Sequence, residues 1–594
     1  MNLFKINTLK AILTYSLLVF LVSCQKETNY KDVEKFSNLE KYYKNELLQT
    51  AITLDSINTT TALQKQKQLF DNARKHFKSL EPLLALLDYD SYTYLNQPNI
   101  LKIEEEDFTD IKIKNPVGFQ VIEEMLYTPN CDAKELKNQV EETSNRLRFL
   151  HQNHSLQYLE NHHILWIMRD EINRIALMGI TGFDSPVAKK SLPEALAAYT
   201  SLQTILGFFE EEFSNKELYT KWIDELEKSK RYLSKTNFDT FDRYHFIKNH
   251  TQESLKIWIA TVADWQVEFP FKQAINYEAT SLFAKNTFNI NHFTDQQNPV
   301  ADNKVALGKR LFEDKTLSKN NNMSCASCHQ KDNYFADALQ KPLGGTRNSP
   351  SLYYAALQKG FFYDKRAGSL EGQMVDVVNN KNEFHLSLND LEKRVSSQKI
   401  YSQDFKKIYK KEVNNDLIRN AIASYIMTLS PFQSKFDLNM QGKLSNLTAS
   451  EINGFNLFEG KAKCATCHFA PLFNGTVPVV YKESELELIG VPSSKDTLNA
   501  KIDADLGRYN VYKTVQRKYF FKTPTVRNIQ KTAPYMHNGV YTSLEEVINF
   551  YNKGGAAGLG IVLDYQTLPK NKLELTKKEQ QDLIAFLKTL TDIY

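Results

Sequence analysis

The chain has 594 residues, and its 74 lysines and arginines nearly balance 70 aspartates and glutamates, leaving a net charge of +4. Charges of both signs are mixed along the chain, so nothing argues for a nucleic-acid partner, and a chain this long implies about two to four domains. Aromatic residues make up 12%, which suits large apolar cores or the lining of a cofactor site.

At the N-terminus, Lys5 and Lys10 precede an apolar run from Ala11 to Val22, which stops at small residues before Cys24. This is the layout of a secretory signal peptide, predicted over 1–23. The segment LVSC resembles a bacterial lipobox, which implies that Cys24 is lipidated and becomes the mature N-terminus. Ordinary cleavage and an uncleaved anchor are the alternatives. No other stretch approaches the roughly 18 uninterrupted apolar residues that a spanning helix requires. The expected protein is a soluble body in the periplasm, touching the membrane only through a lipid on a tether at 24–33.

From 34 to 280, apolar residues recur at steps of three and four, and NPVGFQ and TGFDSPVAKKSLPEA break the pattern. This predicts an all-α bundle. Within it, NPVGFQVIEEMLY resembles the GxHxxE signature of imelysin-like helical domains associated with iron uptake. Gly118, Gln120 and Glu123 match, but glutamine stands where the signature has histidine, so the best metal ligand is gone. The resemblance then implies a docking, spacing or regulatory module. His151 and His154 have a spacing that suits a metal, and His162 and His163 follow. Neutral histidines on a helix surface are the plainer reading.

Near residue 290, Gly, Pro and Asn become frequent and the predicted helices shorten. Two CxxCH motifs lie in this half: Cys325, Cys328 and His329, then Cys464, Cys467 and His468. One helical turn presents two thiols to the vinyl groups of a haem, and the adjacent histidine ligates the iron. Two covalently bound c-type haems are therefore predicted, in domains at 295–445 and 446–594. A zinc site on the four thiolates would leave both histidines unexplained. With these cysteines and Cys24 assigned, no disulfide framework is expected, and Cys131 reads as a buried small hydrophobe. The fold class is mainly α: a helical bundle followed by two cytochrome c-like haem domains with long loops.

The segment from about 297 to 594 resembles the bacterial dihaem cytochrome c peroxidases and their MauG-type relatives. The resemblance rests on NPVADNKVALGKRLFEDKTLS, GGTRNSPSLYYA, FFYDKRAGSLEGQ, NNKNEFH, FKTPTVRNIQKTAPYMHNGVYTSLEEVINFYNKGG and LTKKEQQDLIAFLKTL. It implies His329 as proximal ligand of a peroxidatic first haem and His468 of a second, electron-transferring haem. Glu383 would be the distal acid–base and Gln373 a second distal polar residue; His385 could assist or be a solvated loop histidine. Tyr363 stands where relatives often place an interhaem tryptophan, as electron relay or as packing. Asn348 and the carbonyls of Thr532 and Pro534 would bind Ca²⁺ between the haems, in keeping with its taste for oxygen.

Two departures concern the irons. No histidine lies between His329 and Phe361, where many of the peroxidases hold a blocking ligand. At the second haem the usual methionine position falls on Tyr551, as in MauG-type proteins, with Met536 the rival ligand and His537 nearby. The resemblance implies reduction of H₂O₂ to water with electrons from a small cytochrome c or cupredoxin, and it allows a homodimer. The alternatives are a MauG-like oxidase using high-valent iron on a protein or organic substrate, and a non-enzymatic electron relay tied to iron uptake.

Overall fold

A computed structural model describes residues 30–57, 62–107, 109–129, 131–294, 298–342 and 344–593. The signal segment, Cys24 and the tether up to residue 29 lie outside the described residues. The chain is mostly helical. Long helices come first: α1 (Tyr30–Asp55), α2 (Leu63–Leu87), α3 (Tyr89–Asn96), α4 (Phe119–Tyr127), α5 (Ala133–Asn153), α6 (Asn161–Arg174), α7 (Ser191–Gly207), α8 (Lys216–Leu233), α9 (Arg243–Phe246) and α10 (Gln252–Asp264). Their apolar spacing decides their packing. In α1, Phe36, Leu39, Tyr43, Leu47 and Leu54 fall on one stripe and are all buried.

At one place the all-helical expectation for 34–280 fails. Strands β1 (Lys102–Asp107) and β2 (Asp110–Lys114) pair antiparallel, with Ile103 opposite Ile113. Ile103, Ile111 and Ile113 alternate with charged residues, a period of two that favours a strand.

The bundle interior is not wholly apolar. Arg74 on α2 donates from Nε to Glu194 Oε1 on α7 at 2.7 Å, and from Nη1 to Asn96 Oδ1 at 2.8 Å. Lys78 donates to Asp184 at 2.6 Å and to Glu81 at 2.8 Å. The 118–123 segment is wired into this network. The Gln120 amide donates to the Asn96 carbonyl at 3.0 Å, and Glu123 Oε1 accepts the N–H groups of Val187 and Ala188, both at 2.9 Å. Gly118 has φ 107° and approaches the Leu95 carbonyl too closely for any Cβ. These three residues thus serve the packing of the bundle.

Shorter helices follow: α11 (Asp302–Glu313), α12 (Cys325–Cys328), α13 (Leu370–Asn379), α14 (Leu388–Ser396), α15 (Lys399–Tyr409), α16 (Asn415–Ile426), α17 (Lys435–Met440), α18 (Ala449–Phe458), α19 (Tyr509–Tyr512), α20 (Leu544–Asn552), α21 (Gly555–Gly558) and α22 (Lys577–Thr589). Strands β3 (Leu486–Glu487) and β4 (Phe521–Lys522) pair among the loops. The same crossing appears twice. A Cβ at Gly308 of α11 would lie 1.8 Å from the Ala421 carbonyl oxygen of α16, and one at Gly454 of α18 would lie 1.9 Å from that of Asp582 in α22. Each CxxCH thus follows a helix that meets a much later helix backbone to backbone, at a glycine.

The two halves are packed together. Arg508 donates to Glu105 of β1 at 2.8 Å, Asn456 Oδ1 accepts the N–H of Tyr244 at 3.0 Å, and Lys463 donates to the Pro186 carbonyl at 3.3 Å. Phe183 meets Phe469 edge to face at 5.6 Å between ring centroids. Among the described residues no helix is long and apolar enough to cross a membrane.

Candidate functional site

The two CxxCH segments are built alike. His329 N–H donates to the Cys325 carbonyl at 3.0 Å and His468 N–H to that of Cys464 at 2.9 Å, so each motif closes into one tight turn. Each imidazole then spans a short loop: His329 Nδ1 lies 3.0 Å from the Phe335 carbonyl and His468 Nδ1 lies 3.2 Å from that of Phe473. A carbonyl only accepts, so Nδ1 carries the proton in both rings and the Nε2 lone pair is left for a metal. Both phenylalanines have a left-handed backbone, φ 56° and 51°. Non-glycine residues adopt this conformation at a cost, and here it aims each carbonyl at its histidine.

Both histidines are half-buried, and loss of water around the rings lowers their affinity for a proton, in His468 to about 4. Burial pushes the Cys325 and Cys464 thiols up to about 12. These are neutral imidazoles and neutral thiols in apolar surroundings, which fits thioether formation and iron ligation. At the second motif, Lys522 is buried with its ammonium on the neutral Gln358 amide at 2.6 Å, and burial lowers its pKa to about 8. Arg517 has a buried Nε without a partner. Haem propionates would satisfy both, so the residues present fit the group. Among the described residues no cluster of three or more His, Cys, Asp or Glu side chains could hold a metal ion by themselves.

Glu383 lies in the loop after α13. Its N–H donates to the Asn380 carbonyl at 3.0 Å, and its Oε1 accepts from the Asn380 amide at 2.7 Å. The next carbonyl, of Phe384, accepts the Lys319 N–H at 2.9 Å, which ties the loop to the lead-in of the first CxxCH. Glu383 acts electrostatically on both Cys325 and Cys328, so its carboxyl belongs to the neighbourhood of the first motif. Burial raises its pKa, with the Asn380 bond and Arg366 opposing. Gln373 is half-buried on α13, and His385 is exposed in the loop.

Tyr363 ties β4 to the loop that carries Asn348. Its carbonyl accepts the Lys522 N–H at 2.6 Å, and its hydroxyl donates to Asn348 Oδ1 at 3.4 Å. Asp337, which also acts on Cys328 and His329, bears on its phenol. The Asn348 N–H in turn donates to the His537 carbonyl at 2.8 Å. His537 stacks on Phe521 at 3.8 Å and faces Asp503 at 3.2 Å. Pro534 borders a cleft of about 640 Å³ that Ala338, Gln340, Ser493 and Lys495 also line, near Asn348 but separate from its side-chain bonds. Thr532 caps the short turn Ile529–Lys531.

Tyr551 on α20 is half-buried, and the groups acting on its phenol include the thiols of Cys467 and Cys464, then Glu487. Burial and these neighbours hold the hydroxyl protonated, a preference that an adjacent cationic iron would oppose. Met536 has φ 74° and is half-buried beside His537. The lone Cys131 is not buried as expected. It is half-exposed just before α5, its thiol 3.7 Å from the Asp132 carbonyl, because the helix cap is a surface turn. His154 bonds Tyr43 at 3.0 Å, and His163 caps α6 through the Glu160 N–H at 3.0 Å, so both have structural partners. The sequence did not single out Asn380, which bonds Glu383 within one loop, or Asp337 and Asp503, which act on residues of other segments.

A family model described as di-haem cytochrome c peroxidase matches residues 302–445. Over 314 residues the chain is 30% identical to cytochrome-c peroxidase IdrP2 of Pseudomonas sp. (strain SCT), covering 48% of this chain and 81% of that protein. It is 32% identical over 300 residues to the methylamine utilization protein MauG of Methylorubrum extorquens, covering 49% and 79%. It is also 32% identical over 293 residues to cytochrome c551 peroxidase of Nitrosomonas europaea, covering 48% and 79%. The chain belongs to the dihaem cytochrome c peroxidase and MauG family. Membership implies two haems and oxidoreductase chemistry in the C-terminal half.

Proposed function

We propose that the protein is a dihaem peroxidase that reduces H₂O₂ to water with electrons from a small cytochrome or cupredoxin. The division into a helical module at 34–280 and haem domains at 295–445 and 446–594 belongs to the same proposal. So does attachment through Cys325 and Cys328, and through Cys464 and Cys467, with His329 and His468 as proximal ligands. The haems would supply electron storage and the metal centre at which peroxide is reduced. The observation that supports the reading is the Glu383 carboxyl, oriented by the Asn380 amide at 2.7 Å and acting electrostatically on both cysteines of the first motif. There the carboxylate would take a proton from peroxide and return it to the leaving oxygen, general acid–base work that a raised pKa favours. Tyr363, bonded to Lys522 and Asn348, would be the aromatic group between the haems, as electron relay or as packing. The relatives named peroxidases for a cytochrome support the choice of donor class.

A second reading, oxidation of a protein or organic molecule, is favoured by Tyr551 beside the second thiol pair and by the missing histidine after His329. One experiment separates the two: optical and EPR spectra of the purified diferric protein and its Tyr551→Phe variant, before and after H₂O₂. A low-spin second haem altered by the substitution, with peroxide reacting before any prior reduction, supports the MauG-like reading. An unaltered second haem that requires reduction first supports the peroxidase and points to Met536 as ligand. A Ca²⁺ between Asn348 and the carbonyls of Thr532 and Pro534 is also proposed, and so is a periplasmic protein lipidated on Cys24. Cys24→Ala should release it from the membrane fraction.

A further inference from the structure

Glu459 follows α18 and stands five residues before the second CxxCH. Its side chain is fully buried, and among the described residues neither carboxylate oxygen has a hydrogen-bond partner. Each unmet buried acceptor costs about 1–3 kcal/mol, and more if charged, so such a group persists only where something offsets it. The charged group that acts on it is Arg243 of α9. That guanidinium lies across the bare Cα of Gly460, where a Cβ would come within 2.6 Å of Cζ.

Arg243 is buried too. It donates from Nε to the Ile180 carbonyl at 2.9 Å, from Nη1 to Phe241 at 3.1 Å and from Nη2 to Phe238 at 2.9 Å. Its hydrogen bonds therefore go to neutral groups, and its charge is answered only at a distance, by Glu459, Asp239 and Asp242. Glu459 also acts on the Cys464 thiol, five residues on. The neighbouring lysines are engaged elsewhere, Lys461 with Glu579 and Lys463 with the Pro186 carbonyl. Burial pushes the Glu459 carboxyl up to about 8, with Arg243 opposing.

We propose that Glu459 is the proton partner of the second haem, taking up a proton when that centre gains an electron, and that Arg243 of the helical module tunes this uptake. The inference rests on the reading that Cys464, Cys467 and His468 hold a haem. The balance is simple: one electron arrives from the small redox donor, one solvent proton binds a Glu459 oxygen, and both depart together. In a low-dielectric interior, negative charge gained at the haem favours the neutral form of a nearby carboxyl.

The test is spectropotentiometry of the second haem in the full-length holoprotein, on both sides of the carboxyl's pKa, with infrared difference spectra on reduction. The wild-type midpoint potential should fall as pH rises through that region, and a protonated-carboxyl band should appear on reduction. Glu459→Gln should lose both the fall and the band. Arg243→Gln should move the fall to higher pH; should that variant not fold, the first two readouts stand alone. An undiminished pH dependence in Glu459→Gln, or no carboxyl band in the wild type, overturns the proposal. Absence of any second haem spectrum would instead overturn the haem assignment beneath it.

Discussion

Glu383 shows what a single side chain owes to its loop. Burial lifts its carboxyl pKa above the ordinary glutamate value, so its basic form gains occupancy only as pH rises past that raised pKa. Peroxide turnover should therefore have an acid limb above the usual carboxyl range, and a limb at or below it would contradict the role. Glu383→Gln should lower kcat by about 10²- to 10⁴-fold and remove that limb, as expected for the loss of a general acid–base. Steady-state kinetics against pH reads both. The cysteines and histidines of this site were legible in the sequence because their spacing is local. Asn380, which orients Glu383, was not, because nothing in NNKNEFH shows which asparagine turns its amide inward.

At the scale of helices, glycine matters more than periodicity. The predicted helical stripes are present because apolar spacing alone specifies them, whereas the hairpin at 102–114 was hidden between stronger helical signals. The crossings at Gly308 and Gly454 were also illegible, since a glycine inside a helix resembles a weak point until its partner backbone is known. Gly454→Ala would force α18 away from the Asp582 carbonyl, and Gly308→Ala would do the same to α11 at Ala421. Each should destabilise by about 1–3 kcal/mol or more, the range for overpacking a tight interior. Chemical denaturation checks this; unchanged midpoints would show that the helices slide apart freely. Removing the Thr576 cap of α22, whose hydroxyl accepts the Glu579 N–H at 3.2 Å, should cost about 1 kcal/mol.

Across the whole molecule, paired charges join segments that the sequence leaves far apart. Arg527 donates to both oxygens of Asp437 at 2.9 Å, with both side chains fully buried. Asp437→Ala would strand the guanidinium and should cost about 3–5 kcal/mol in unfolding free energy. A smaller loss, under 1 kcal/mol, would mean that Tyr354 and Asp592 already balance the charge. That the two halves touch was invisible in the sequence, since Arg508 and Glu105 are ordinary surface residue types 403 positions apart.

The Gly454 crossing also has a consequence in time. Cys467 precedes the start of α22, the helix that closes on α18, by 110 residues (577 minus 467). At a synthesis rate of about 5–20 residues per second, the thiols would be made about 5–20 s before their lobe could shut. The order of synthesis thus makes the cysteines before the helix that encloses their lobe.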